Sequence, residues 1–149
     1  MEFVQRVSKT GLARNMRRVI SGVQRGRIAV VESHGEPEVA IVDVTDFRIL
    51  HAVMRYYARE TRIDTAEGLA DAPVAAQTEI QGRYNLTMAH YLAGAISLSR
   101  VAELLELPWL DLRARLHRLD VPLRTAPADL GQALADVETA ATTTIPGRL

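Results

Sequence analysis

The sequence predicts an α+β fold: a β-α-β-β-α module, then a small all-α module, then a C-terminal helix and tail. Three observations predict it. Residues 9–26 place Leu12, Met16, Val19, Ile20 and Val23 three and four positions apart, the stripe of an amphipathic helix. Residues 28–33 and 39–44 are apolar, β-branched runs joined by His34-Gly35-Glu36-Pro37, a turn signal. Beyond residue 77, two short helical patterns flank the break at Leu107-Pro108, a helix-turn-helix arrangement.

Each element has a local reason. Residues 2–7 read as a short strand, and Ser8 is placed to cap the helix that follows, its hydroxyl accepting from a free amide of the first turn. Gly26 suits the left-handed position past the end of that helix. Both hairpin strands are apolar at successive positions, which predicts a sheet covered on both faces. Thr45 or Asp46 opens a second helix, about 46–60, with Phe47, Leu50, Val53, Met54 and Tyr57 inward. Some sixty residues of this kind make a poor solitary core, so a second copy is the expected cover, giving a twofold dimer.

Periodicity fades over 63–76, which read as a linker between a module at 1–62 and a helical module at 77–123. In the latter, Ile80, Tyr84, Met88, Tyr91 and Leu92 form one stripe of a helix ending at Gly94. Ser97 caps a short helix, and a third helix, about 109–119, is expected to bury Trp109, Leu112, Leu116 and Leu119. Residues 124–149 hold a last helix, about 128–140, with a thin stripe of Leu130, Leu134 and Val137, and a flexible tail.

Formal net charge is zero, yet residues 1–62 carry +4 and residues 63–149 carry −4. Within 1–27, seven basic residues face Glu2 alone. Arg6, Lys9, Arg14, Arg17 and Arg18 are therefore candidate phosphate contacts on DNA; an ordinary solvated face is the competing reading. Arg113, Arg115 and Arg118 form a second candidate face, toward DNA or protein, with Asp111 and Asp120 beside them opposing phosphate. With no cysteine, disulfides and thiolate metal sites are excluded. The opening residues lack the apolar core of a signal peptide and no run is long enough to span a membrane, so a cytoplasmic location without membrane contact is expected. His34, His51, His90 and His117 show no metal-ligand spacing; His34 reads as a turn residue, His90 and His117 as surface or half-buried. No catalytic constellation emerges, so no enzyme, cofactor or metal is expected.

The first sixty residues resemble the Phd/YefM antitoxins of bacterial toxin–antitoxin systems. The resemblance is carried by Val7-Ser8, Asn15-Met16, the hairpin at His34-Gly35-Glu36-Pro37 and Thr45-Asp46-Phe47. That family commonly has arginines where Ala13 and Ser33 stand here, so its base-reading scheme does not carry over. Residues 88–123 resemble small helix-turn-helix antitoxins paired with PIN-domain ribonuclease toxins, through Gly94, Ile96-Ser97-Leu98, Ala102-Glu103-Leu104 and Leu116 to Pro122. Together the resemblances imply a type II antitoxin. It would neutralise a toxin by direct binding and repress its own operon as a dimer or higher even oligomer on operator DNA. Arg124, Leu130, Leu134 and Val137 are the candidate toxin-binding residues, Arg124 and Arg148 as cations for the toxin's carboxylates. A stand-alone DNA-binding regulator without a toxin is the alternative, and an oligomerising adaptor the third.

Overall fold

The computed structural model describes residues 3–64, 66 and 68–124, as an α+β chain of one three-stranded sheet and seven helices. It divides into two compact units, Met1–Leu50 and His51–Leu149. The candidate helix at 128–140, with Leu130, Leu134 and Val137, and Arg148 lie outside the described residues.

In the first unit, β1 (Val4–Ser8) runs parallel to β2 (Ile28–Ser33), which pairs antiparallel with β3 (Glu36–Ile41). The connection from β1 to β2 is helical, as a parallel pair requires. It comes in two pieces, α1 (Lys9–Arg14) and α2 (Met16–Gln24), where the sequence reads as one helix. Asn15 divides them: its backbone leaves helical geometry at φ −125°, and its side-chain amide donates back to the Gly11 carbonyl at 3.3 Å. Short polar side chains compete for helical backbone groups in this way. Ser8 caps α1 as expected, accepting from the Gly11 amide at 2.9 Å.

Val19 and Val23 of α2 pack on Ala29, with Val7, Leu12 and Ile41 around them. The helix comes down close to the strand. The Gln5 amide donates to the Val19 carbonyl at 3.1 Å, and a Cβ at Gly22 would stand 2.8 Å from that same Gln5 nitrogen. The hairpin turns through His34 and Gly35, both at positive φ (53° and 79°). A two-residue loop of that kind matches the strand twist, and only glycine takes it without steric cost. β3 begins at the turn, three residues earlier than the sequence predicts, and tolerates Pro37 because it is an edge strand. A register shift beside Glu32 leaves Glu38 as the extra residue of a bulge.

Two burial expectations fail here. The sheet is not covered on both faces within the unit: β3 is exposed from Glu36 to Ala40, and Val39 is 58% exposed. The second helix, α3 (Val44–Tyr57), buries Asp46, Ile49 and Ala52, whereas Phe47, Met54 and Tyr57 face solvent. Asp43 caps it, accepting from the Asp46 amide at 2.7 Å, so it opens earlier than Thr45. Apolar side chains ring much of α3, and the chain's own packing takes the side bearing Ile49 and Ala52. Val44, Phe47, Met54 and Tyr57 share the other side by helical spacing.

The second unit is built on α5 (Ile80–Leu92), buried at Tyr84, Met88, Ala89, Tyr91 and Leu92; Ile80, read as part of that stripe, is exposed. Then follow α6 (Leu98–Leu105) and α7 (Trp109–Arg118), contributing Val101, Ala102, Leu112 and Leu116 to the core. Ser97 caps α6 through the Arg100 amide at 3.2 Å. Residues 69–75, inside the span read as linker, are packed: Leu69 and Val74 are buried, and α4 (Asp71–Ala75) forms there. Arg100 holds this stretch by donating to the Leu69 carbonyl at 3.2 Å and pairing with Asp71 at 2.7 Å. Its guanidinium is held above the usual arginine value, chiefly by its hydrogen bond to Glu103. Among the described residues no helix is long and apolar enough to cross a membrane.

Candidate nucleic-acid interface

The cationic residues of the first unit separate into two groups. Arg6 on β1 and Lys9 at the start of α1 are both exposed, but each meets a carboxylate from across the sheet. Arg6 pairs with Glu32 at 2.9 Å, and Lys9 with Glu38 of the bulge at 2.6 Å. Pairs this open to water contribute under about 1 kcal/mol. A phosphate can replace either carboxylate at little cost, but the paired cations add little net field.

Arg14, Arg17 and Arg18 are also exposed, and none has an ion-pair partner among the described residues. Arg25 at the end of α2 and Arg27 before β2 share that condition. Sequence reasoning left these two out of the site, although the excess of seven basic residues over Glu2 in 1–27 included them. Helical spacing explains the arrangement on α2. Val19 and Val23 turn to the sheet, and the exposed arc carries Arg17, Arg18 and Gln24 together with Met16 and Ile20. Met16 (47% exposed) and Ile20 (37%) were expected in the core with Val19; the apolar stripe is wider than the strip of sheet available to it. Unpaired guanidiniums and uncovered apolar side chains thus sit on one helix. Such a surface can carry phosphates, whose planar, bidentate geometry suits arginine.

The second candidate face does not assemble. Arg113 is exposed and lies 5.5 Å from the centre of the Trp109 ring. Arg115 is turned toward Asp111 and pairs with it at 2.8 Å, while Arg118 is half-buried with its Nε enclosed. The three arginines point in different directions around α7, and no single cationic edge forms for a groove. Trp109 itself, expected in the core, is 40% exposed at the first position of α7, where Leu112 and Leu116 already fill the buried side.

Arg124, a candidate toxin contact, is engaged within the second unit. Its guanidinium donates to the Leu92 carbonyl at the end of α5, and its backbone amide to the Tyr91 hydroxyl at 2.9 Å. Tyr91, fully buried, donates in turn to the Pro122 carbonyl at 3.0 Å. Gly94 closes α5 at φ +84° directly under Arg124, where a Cβ would collide with the guanidinium. Tyr91→Phe leaves the Pro122 carbonyl and the Arg124 amide without their partner. The expected loss is about 1–3 kcal/mol, read as a lower urea midpoint at unchanged slope.

His34 is the turn residue expected. His90, expected at the surface, is buried between two carbonyls, Leu86 at 2.9 Å from Nδ1 and Asp64 at 3.2 Å from Nε2. Among the described residues no three acidic or histidine side chains are grouped to hold a metal. Comparison with family models, curated proteins and solved structures finds no match to this chain.

Proposed function

We propose that this chain is the antitoxin of a type II toxin–antitoxin system, its first unit a Phd/YefM-like module that self-associates and lays α1 and α2 on operator DNA. The observation that carries the DNA half is the set of five exposed arginines, Arg14, Arg17, Arg18, Arg25 and Arg27, without carboxylate partners among the described residues. Their charge is free for phosphate, so binding releases counterions and weakens as salt rises. The uncovered Val39, Val44 and Phe47 supply the surface for a second copy, which doubles the cationic area presented to one operator.

The second unit serves the toxin, a PIN-domain ribonuclease. The resemblance of residues 88–123 carries this half, and the dispersal of Arg113, Arg115 and Arg118 favours protein over a DNA groove. The test is a pull-down of the tagged full chain from its native host, with salt-dependent binding to its own upstream DNA measured alongside. A stoichiometric small protein that stops growth alone and is harmless with this chain is the expected result. A chain that returns alone, with full DNA affinity, is a stand-alone regulator instead. Absence of any salt-dependent DNA binding removes the reading of the first unit.

A further inference from the structure

One side of α7 stays open to solvent and carries Trp109, Leu110, Arg113, Ala114 and His117, residues that helical spacing brings together. Leu110 is 71% exposed, and the Arg113 guanidinium stands over the Trp109 ring. Tryptophan and arginine side by side are the composition of a buried protein contact. We infer that the chain's own segment 128–140 packs antiparallel along this side of α7, seating Leu130, Leu134 and Val137 on Trp109 and Leu110.

Three observations select this occupant. The first is where the chain leaves the described fold. The Val121 amide is bonded to the Leu116 carbonyl at 2.9 Å, and three residues later Arg124 is fixed by Tyr91 and Leu92. Arg124 therefore lies within about 11 Å of the last turn of α7. The second is length. The ten residues of α7 make a rod of about 15 Å, and a helix over 128–140 makes about 20 Å, so a returning helix reaches Trp109. Residues 125–127 are a connection of ordinary length for two antiparallel helices. The third is charge. Residues 125–147 hold Asp129, Asp136 and Glu138 and no lysine or arginine. The side of α7 they would meet presents Arg113 and His117, and the helix's own Asp111 is turned to Arg115.

This packing belongs to the chain alone and does not depend on the antitoxin reading. Where that reading holds, a toxin that takes the 128–140 stripe uncovers α7, so toxin and α7 compete for the same apolar residues.

The chain has no cysteine, so an introduced pair reports cleanly. In the full chain, Leu110→Cys with Leu134→Cys is expected to oxidise mainly to an internally crosslinked monomer that migrates faster on a non-reducing gel. A disulfide needs Cα atoms within about 7 Å. Thr78→Cys with Leu134→Cys is expected to give none. A covalent dimer means that a second copy covers α7, and no crosslink means that 128–140 lies elsewhere; either overturns the inference. Should the double-cysteine chain fail to fold, Trp109, the only tryptophan, gives the reading. Acrylamide quenching that rises on Leu130→Asp with Leu134→Asp sustains the packing, and unchanged quenching overturns it.

Discussion

Replacing Arg14, Arg17 and Arg18 together by glutamine is expected to cost about 100-fold in DNA affinity at 0.15 M salt and to leave the fold intact. The magnitude follows from counterion release. Three lost phosphate contacts remove about 2.7 from the slope of log affinity against log salt, or about two orders of magnitude at that concentration. The difference should close as salt approaches about 1 M. Fluorescence anisotropy with the upstream DNA at several salt concentrations measures both. The fold is spared because all three side chains are exposed and glutamine is as good a helix former as arginine. Circular dichroism checks that point. Arg62→Gln, an exposed arginine of the second unit, is the control and should change nothing. Equal losses for the triple variant and the control would mean that binding follows overall charge rather than the α1–α2 surface.

Phe47→Asp is expected to separate copies of the chain without unfolding any of them. Phe47 is 53% exposed in the single chain, so a carboxylate there remains in water, and the stability change should stay within about 0.5–1 kcal/mol. In a twofold interface the same carboxylate is buried once from each copy, next to the apolar Val44 one turn earlier. Leaving a charge unpaired in such a place costs several kcal/mol, enough to raise the dissociation constant at least about 100-fold. Sedimentation velocity across a dilution series reads the change. DNA affinity should fall with it, because two linked cationic surfaces bind more tightly than one. Unchanged self-association would remove the α3 stripe as the interface and leave the exposed edge of β3 to be tested next.

Much of the fold was legible because its signals are short-ranged. Ser8 and Ser97 cap helices through amides three residues away, and Gly26 and Gly94 end helices at positive φ. The β-rich runs at 28–33 and near 39 pair around the expected turn. The candidate site was legible as a charge imbalance, which named Arg14, Arg17 and Arg18 but could not separate them from Arg6 and Lys9. Those two have their acids on β2 and β3, and only sheet pairing brings Glu32 and Glu38 to them. Arg100 with Asp71 and Arg124 with Leu92 are of the same kind, pairs made by folding between residues remote in the chain.

The sequence by itself determined where helices and strands begin, turn and end, since caps, turn glycines and periodicity act within a few residues. It also determined that the first 27 residues are cationic. Tertiary structure alone decided which part of each apolar stripe is covered: Val19 and Val23 but not Met16 and Ile20, Ile49 and Ala52 but not Phe47 and Met54. A hydrophobic pattern states that a face avoids water, and its period cannot state how wide a surface will meet it. That width depends on how many strands and helices the chain brings alongside, and in so small a unit it falls short of the stripe.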